Sequence, residues 1–429
     1  MVPRSFSLLK GIFADTIAKS HAGRATRDAL SYASGRLSVG DQSFDYSSLH
    51  LLAVGKAAHQ QADAIFEVTE QTIASGLIVS NHTAAKASGA GISVIQAEHP
   101  TPGPGSFRAG AAALNFVERC SPNDLLVAAI SGGTSSLLEV PAPGLTTDAL
   151  VASHAALVDC GASIQEINTV RRALSSIKAG GLARRTACPI LSLVVSDVAG
   201  NDPTLVGSGP TLLGPGSSGD PKEIVSKYGL DSQLPPEVLE AINNVDDVAS
   251  ASRPRDAAVI VASPETLHHH AGLTLEEHGF ALHPTPPRTS KDDVDTVATH
   301  ILQTLDVMRS IAERTGRALA CVWVHEPTVR VTGSGYGGRS AHLALLVARG
   351  IAGQDGVSFL AAGSDGHDGA TDAAGAIVDG ATWELAPEPA LALQSFDSGR
   401  IHKQLGTAIE RQQTGTNLTD LAVLTIDPS

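Results

Sequence analysis

The sequence predicts an α/β protein with two domains, each built around a β-sheet. The chain has 429 residues, which is more than one hydrophobic core usually organises. Short apolar runs alternate with longer segments of helical period, a pattern typical of βαβ units and of mainly parallel sheets. Hydrophobic residues make up 42% of the composition, enough to fill the interior of both domains.

The predicted strands are short apolar runs that each end in a turn signal. They cover 51–54, 76–79, 125–130, 190–195, 257–262, 319–324, 328–332 and 357–361. The segment 212–220 is rich in Gly, Pro and Ser and is a predicted loop. We place the domain boundary near 247–254, which gives an N-terminal domain of residues 1–250 and a C-terminal domain of residues 251–429. The strand at 257–262 is expected to open the second domain.

Charge and composition exclude several classes of function. The net charge is −14 and aromatic residues make up only 3%, so we expect no nucleic-acid partner. No apolar run reaches the roughly 18 residues of a membrane span, and no membrane association is expected. The four cysteines form no CxxC pair, which is typical of free thiols in a reducing compartment. The N-terminal segment has the period of an amphipathic helix, so we interpret it as part of the folded body of a cytoplasmic protein.

Two glycine-rich segments follow predicted strands and are candidate phosphate-binding loops. The first glycine loop (131–135) consists of Ser131, Gly132, Gly133, Thr134 and Ser135, and the second glycine loop (207–211) includes Ser208 and Gly209. Glycines let backbone N–H groups approach a phosphate, and hydroxyl groups add donors. For either loop taken alone, a tight turn that needs positive φ is the alternative. That alternative is favoured for one such loop alone, but a second loop follows another strand, and open α/β sheets bind ligands beyond the carboxyl ends of their strands, so the pair indicates phosphate binding.

Lys56 and Arg339 each occur at the start of a helical pattern, and one further segment carries several cations. Lys56 stands between a strand and a helix, where the helix dipole disfavours a cation by roughly 0.3–1 kcal/mol unless an anion joins it. Alternatively, its stem covers a neighbouring side chain. Arg339 begins a helical pattern and invites the same argument for a bound anion. The segment 167–183 carries three more cations, any one of which could face a ligand: Arg171, Arg172 and Lys178.

Carboxylates follow two further predicted strands. Asp197 follows the fourth strand and suits either a Mg²⁺ contact or an Asx-turn. Asp365 follows the last predicted strand and is a candidate general base for a substrate hydroxyl. Asp368 and Asp372 come next, either as metal ligands or as caps of a helix expected to begin near Thr371.

Several common sites are not predicted. The chain has no GxxxxGK[ST] sequence and no GxSxG sequence, which excludes a P-loop kinase and the usual serine hydrolase. The glycines of 333–338 fit GxGxxG, but the segment before them is polar and Asp355 precedes a strand. This match alone therefore does not establish a dinucleotide site.

Taken together, these segments resemble the class II glycerate 2-kinase family, whose C-terminal half is called the MOFRL domain. The resemblance rests on eight blocks in order along nearly the whole chain: AVGKAA (53–58), EHPTPGPGS (98–106), SGGTSSLLEVPAPGLT (131–146), INTVRRALSSIKAGGLA (167–183), SDVAGNDPTLVGSGPT (196–211), GSGYGGRSAHLAL (333–345), GSDGHDGATDAAGAIVD (363–379) and TGTNLTDL (414–421). It implies an N-terminal Rossmann-like parallel-sheet domain, a C-terminal α/β MOFRL domain and an active-site cleft between them.

The resemblance also implies an activity. It implies Mg²⁺-dependent transfer of the γ-phosphoryl group of ATP to the 2-hydroxyl of D-glycerate, and a homodimer is compatible with it. Carried over by motif, it assigns catalytic roles to Lys56, Arg339 and Asp365. Our hypothesis is that Lys56 and Arg339 hold anionic groups from opposite domains while Asp365 orients or deprotonates the acceptor hydroxyl. The two glycine loops would cradle the nucleotide phosphates, with Asp197 as a Mg²⁺ contact.

Departures from the family pattern leave the acceptor open. Thr134 stands where the family usually has Gly, Ala173 where it often has His, and Ala179 where it has Gly. Ser340-Ala341-His342 stands where it reads Asn followed by Gln. A kinase of a longer sugar acid therefore remains an alternative. Two others are a hydroxypyruvate reductase, a label that this family has also carried, and a non-catalytic sensor of sugar acids or nucleotides.

Overall fold

The computed structural model describes residues 4–82, 91–198, 200–213, 219–244, 253–285 and 292–428. The strands are β1 (Leu30–Ala33), β2 (Arg36–Val39), β3 (Gln42–Phe44), β4 (Leu49–Val54), β5 (Ile73–Ser80), β6 (Ile92–Gln96), β7 (Leu125–Ser131), β8 (Ile190–Val195), β9 (Ala257–Ala262), β10 (Ala281–Leu282), β11 (Leu319–His325), β12 (Val357–Gly363), β13 (Ala373–Asp379), β14 (Ala408–Glu410) and β15 (Asp420–Ile426).

The α-helices are α1 (Arg4–Lys19), α2 (Ala22–Ala29), α3 (Ala58–Val68), α4 (Pro104–Glu118), α5 (Thr134–Leu137), α6 (Thr147–Asp159), α7 (Ile164–Ala173), α8 (Gly181–Arg185), α9 (Pro221–Lys227), α10 (Pro236–Asn243), α11 (Pro264–Glu277), α12 (Val294–Thr315), α13 (Arg339–Gly350), α14 (Thr382–Leu385), α15 (Pro389–Gln394) and α16 (Ser398–Leu405). In the described part of the chain, no helix is long and apolar enough to cross a membrane.

The residues form two compact units. The first unit comprises Ala22–Ser196 and Asn201–Val261, and the second comprises Met1–His21, Asp197–Gly200 and Ala262–Ser429. Residues 247–252 of the predicted domain boundary, and 214–218 of the predicted loop, lie outside the described residues. The domain limits 1–250 and 251–429 therefore stay a prediction.

The first unit contains a six-stranded sheet in the order β6-β5-β4-β7-β8-β9. All pairs from β6 to β8 are parallel. Every residue of β7 and β8 is buried, as expected for central strands covered on both faces. The two-domain α/β fold class is thus confirmed, with a parallel sheet in the N-terminal part. The strand expected to open the second domain, β9, instead lies at the edge of this first sheet.

The second unit contains a mixed sheet in the order β10-β11-β15-β12-β13-β14. The β10–β11 pair is parallel, whereas all other neighbours are antiparallel. The general expectation of mainly parallel sheets is therefore wrong for this unit. Helix α1 contacts α11 and β13, and its apolar residues Leu9, Ile12 and Phe13 are buried. The N-terminal segment is thus a packed helix, as expected.

Two local predictions in the second unit are wrong. No strand forms at 328–332, where the chain makes only a single bridge between Thr328 and Asp293. Pro327 precedes this segment and Val331 is 62% exposed, so the run lacks a buried face. The helix expected near Thr371 is instead strand β13, which pairs with β12.

Candidate functional site

Lys56 lies at the carboxyl end of β4, where the chain turns sharply toward α3. Gly55 has a φ of +125°, and a Cβ on it would lie 2.1 Å from Oγ of Ser131, so only glycine fits at this position. The N–H of Lys56 donates to the carbonyl of Gly132 over 2.9 Å, and the N–H of Ala57 donates to Oγ of Ser131 over 3.1 Å. Backbone bonds therefore fix Lys56 against the first glycine loop, with its side chain half-buried.

The first glycine loop is held in shape by two of its own hydroxyl groups. Thr134 Oγ1 donates to the carbonyl oxygens of Val54 and Ser131 at 2.9 and 2.7 Å, and Ser131 Oγ donates to Val54 at 3.3 Å. Gly133 adopts the left-handed region with a φ of +89°. Ser131 and Thr134 thus brace the turn, while Gly133 and Ser135 are its half-buried members.

The second glycine loop touches the first. Its residues Gly207, Ser208 and Gly209 all have positive φ, at 57°, 64° and 59°. A Cβ on Gly207 would lie 2.5 Å from Cβ of Thr134, and Oγ of Ser208 lies 3.0 Å from Oγ of Ser135. The two loops that the sequence singled out separately therefore form one continuous surface in the first unit.

The three cations of 167–183 have different environments. Lys178 is 1% exposed and forms an ion pair with Glu139, which is fully buried. Burial lowers the pKa of Lys178, and Glu139 opposes that shift. Arg172 donates to the carbonyl of Thr204 at 2.9 Å, and Arg171 is half-buried. Lys178 is therefore an internal cation that no ligand at the surface can reach.

The same segment supports the second glycine loop from behind. The N–H of Ala179 donates to the carbonyl of Ser208 at 2.9 Å, and the N–H of Gly180 donates to that of Gly209 at 2.7 Å. Ala179 itself has a φ of +52°, although it stands where the family has a glycine. The alanine is thus accommodated in a left-handed conformation at some cost in strain.

His99 is a residue of this surface that sequence reasoning did not single out. A Cβ on Gly133 would lie 3.1 Å from Cδ2 of His99, 3.4 Å from its Nε2 and 3.5 Å from Cγ of Lys56. The imidazole and the lysine stem therefore border the same glycine. Loss of hydration and the charge of Lys56 lower the pKa of His99. The signal that points to it is its place after β6, a parallel strand whose carboxyl end lies at the same edge of the sheet.

Arg339 begins α13 in the second unit and is engaged by two carboxylates. Its Nε and Nη2 donate to the two oxygens of Asp420, the latter at 2.9 Å, and its Nη1 donates to Glu326 at 2.7 Å. Burial alone would lower the pKa of Arg339, but Asp420 and Glu326 raise it. The guanidinium is thus permanently charged, and its side chain is 36% exposed.

The anion expected at the N-terminus of α13 is a side chain of the protein. Asp368 accepts hydrogen bonds from the N–H groups of Ser340 and Ala341 at 2.9 and 2.8 Å. A Cβ on Gly338 would lie 2.3 Å from Cγ of Asp368, so the glycine is needed for this contact. Of the two alternatives for Asp368, metal ligand or cap, the structure has the cap. The helix it caps is α13, not one near Thr371.

Asp368 gives a testable pH dependence, because burial raises its pKa to about 7 from an ordinary 3.8. Between these values the unfolded state has released the proton while the folded state retains it. Stability is therefore lost as the pH rises through this window. Relative to Asp368→Asn, the wild-type free energy of unfolding should fall from about pH 4 to 7 and then level off. Urea denaturation across this range measures the difference, and a constant difference contradicts the assignment.

Asp365 lies at the end of β12 and is half-buried. Its Oδ1 accepts the N–H of His367 at 3.1 Å. Burial raises the pKa of Asp420 to about 6 against the opposing effect of Arg339, and the charges of Glu326 and Asp365 add to the rise. Asp365 and Arg339 thus share the neighbour Asp420. Asp372 is exposed, with Lys403 Nζ at 3.9 Å.

The GxGxxG match at 333–338 has a packing explanation. A Cβ on Gly333 or Gly335 would lie 2.7 or 2.3 Å from the carbonyl oxygen of Ser395. These two glycines let the loop lie directly on the backbone of 395–397, while the third, Gly338, packs on Asp368. Strand β11 ends at His325 and residues 326–332 separate it from the loop, so the geometry differs from a dinucleotide-binding turn, in which the strand leads directly into the glycines.

No group of three or more His, Cys, Asp or Glu side chains within the described ranges is arranged to hold a metal ion. Asp197 comes directly after β8 and is half-buried. Mg²⁺ in nucleotide sites commonly keeps several waters and takes one or two carboxylates together with phosphate oxygens. A single accessible carboxylate at a strand end therefore fits the protein's share of such a donor set.

Comparison with known proteins finds matches along most of the chain. Residues 8–243 match a family described as a domain of unknown function (DUF4147), and residues 319–420 match the MOFRL family. The D-glycerate 2-kinase of Thermotoga maritima is 31% identical over 385 residues, covering 87% of this chain and 89% of that protein. A protein of Agrobacterium vitis whose name proposes a hydroxypyruvate reductase is 33% identical over 394 residues, covering 88% and 98%. The crystal structure of a glycerate kinase from Thermotoga maritima superposes with a TM-score of 0.85 at 29% identity, covering 99% of this chain and 100% of that one.

Proposed function

Because this chain belongs to the glycerate kinase family that joins a DUF4147 region to a MOFRL region, we propose that it phosphorylates D-glycerate at the 2-hydroxyl. ATP is the phosphoryl donor, Mg²⁺ is required, and the products are 2-phosphoglycerate and ADP. One observation carries the proposal beyond family membership. Lys56 is fixed by a backbone bond against the first glycine loop at the carboxyl edge of the first sheet, and the second glycine loop touches the first.

The first unit supplies what the phosphates of ATP need. Phosphoryl transfer asks the protein mainly to position the reactants and to neutralise charge on the phosphoryl oxygens. We assign neutralisation to the ammonium group of Lys56. The first glycine loop admits phosphate oxygens close to its backbone N–H groups, and the half-buried Ser135 adds a hydroxyl donor. In the second glycine loop, Ser208 and Gly209 are buried and their N–H groups donate to the carbonyls of Leu205 and Val206. The second loop therefore contributes through its contact with Ser135.

Asp197 is our candidate for holding Mg²⁺, since its carboxylate fits the one-carboxylate donor set of a nucleotide-bound ion. When bound, Mg²⁺ supplies positive charge to the phosphate oxygens. The role of Asp197 is to fix that charge at the end of β8.

The acceptor side is assigned to the second unit. Asp365 orients the 2-hydroxyl of D-glycerate or accepts its proton. Arg339 binds an anionic group of the substrate through its exposed side. Nη1 on that side donates a hydrogen bond to Glu326, whose side chain is 37% exposed. The bidentate bonds to Asp420 meanwhile hold the guanidinium plane in position.

An ADP-release assay with Mg-ATP and D-glycerate tests the proposal, with the position of the phosphate read by NMR. We expect ADP formation with 2-phosphoglycerate as product, and none when EDTA replaces Mg²⁺. A 3-phosphorylated product contradicts the position, and ADP release with only longer sugar acids contradicts the acceptor.

The hydroxypyruvate reductase alternative draws on the name of the Agrobacterium vitis relative. It requires a nicotinamide site, but the GxGxxG glycines on which that site would depend serve packing: Gly333 and Gly335 lie against 395–397, and Gly338 lies against Asp368. Oxidation of reduced nicotinamide by hydroxypyruvate, followed by absorbance, is the direct measurement. We expect no oxidation above the rate without enzyme.

A further inference from the structure

His99 is placed beside the first glycine loop by the anchoring of the two residues before it. The N–H of Ala97 donates to the carbonyl of Ser80 at 2.9 Å. Glu98 caps α4 by accepting the N–H groups of Gly105 and Ser106 at 3.1 and 2.9 Å. Since the chain is tied down directly before His99, the exposed imidazole lies beside Gly133.

The space above Gly133 is bordered by two side chains that attract anions. The ring of His99 and the stem of Lys56 both approach within 3.5 Å of the position that a Cβ on this glycine would take. A residue with a side chain would fill that position, whereas glycine leaves room for a ligand atom. We propose that His99 is a further substrate-contacting residue, which donates a hydrogen bond to the phosphate group that Lys56 neutralises.

This inference rests on the proposed function for the identity of the ligand, a nucleotide phosphate. The imidazole suits the role, because a neutral ring can donate one N–H and a protonated ring adds a charge. Lys56 and loss of hydration lower the pKa of His99 in the free protein, and Glu98 beside it is engaged at α4. A phosphate anion bound between His99 and Lys56 instead raises the pKa of His99. Binding is therefore accompanied by a rise in the pKa of His99.

The test is an NMR titration of ¹⁵N-histidine-labelled wild-type protein, in which the signal of His99 is assigned through His99→Gln. The probes are tripolyphosphate and Mg²⁺ with a non-hydrolysable ATP analogue, each compared with free protein. We expect the pKa of His99 to rise by roughly one unit, as for a charge within about 4–6 Å. The ring signals of His278, an exposed histidine of the second unit, should respond to neither probe. An unmoved His99 with both probes overturns the inference.

The binding affinity of the ATP analogue gives a second measurement. By calorimetry, His99→Ala, which removes both ring nitrogens, should bind the ATP analogue about 10- to 100-fold more weakly than wild type, as expected for a lost hydrogen bond to a charged group. The matched variant His278→Ala should bind like wild type, and equal affinity of His99→Ala overturns the inference. Failure of the proposed function is recognised separately. In that case no sugar acid yields ADP, whereas the response of His99 to tripolyphosphate still supports the phosphate contact.

Discussion

Replacing Lys56 by methionine is expected to lower kcat/KM for phosphoryl transfer by a factor of about 10²–10³, the usual loss when one preorganised electrostatic group is removed. Methionine keeps the apolar stem and removes the ammonium group. The turn should survive, because the bonds that shape it come from the backbone of Lys56 and Ala57 and from the fit of Gly55. The ADP-release assay measures the loss, and thermal unfolding checks that the variant is folded.

Two variants sharpen this test. Lys56→Arg keeps the charge in a different geometry, so we expect it to recover part of the lost activity. Lys222→Met removes an exposed lysine from α9 of the same unit and should leave kcat/KM unchanged. If Lys56→Met turns over as fast as Lys222→Met, the side chain of Lys56 only covers its neighbours and the phosphate assignment fails.

Five of the six strands of the first sheet were predicted because their signal is local. Strands β4, β7 and β8 are nearly continuous apolar runs, and such runs indicate strands buried on both faces. Strand β6, whose residues are exposed or half-buried, was not predicted. The pairing of the second sheet was harder to predict. Its strand β15 pairs with β11, roughly a hundred residues earlier, and strand direction leaves no mark on local periodicity. Chain length and the alternation of strand and helix patterns predicted the two-domain α/β fold class, which the comparisons confirm.

The residues of the candidate site show the same difference between local signals, which sequence analysis detects, and long-range contacts, which it does not. The position of Lys56 beside the first glycine loop follows from the rule that parallel strands end at one edge of a sheet. Asp368 does not follow from any local rule, because the helix it caps begins at Arg339, far back along the chain. The sequence left it as a metal ligand or the cap of a helix near Thr371, whereas its carboxylate serves a long-range contact. The catalytic roles of Lys56, Arg339 and Asp365 stay predictions.

Lys178 shows why a motif residue need not touch a ligand. Replacing it by methionine is expected to lower the free energy of unfolding by about 3–5 kcal/mol, the usual loss when one partner of a buried ion pair is removed. Glu139 would then be left charged in the interior, with Ser175 Oγ and the N–H of Val140 as its remaining donors. Urea denaturation measures the loss. Lys227→Met is the matched control, because its pair with Glu166 is exposed, with Lys227 61% accessible, and should cost about 0–1 kcal/mol.

The double variant Glu139→Gln/Lys178→Met separates the charge from the shape of this site. Glutamine keeps an oxygen for Ser175 and Val140 but carries no charge, so the double variant should regain much of the stability that Lys178→Met loses. If the double variant is as unstable as Lys178→Met, packing of the lysine stem rather than the ion pair determines the loss.

Because Ala179 and Gly180 bond directly to Ser208 and Gly209, the buried pair stabilises the second glycine loop from inside the first unit. In the proposed function, Lys178 thus supports the second glycine loop from the interior, while the phosphate contact is assigned to Lys56.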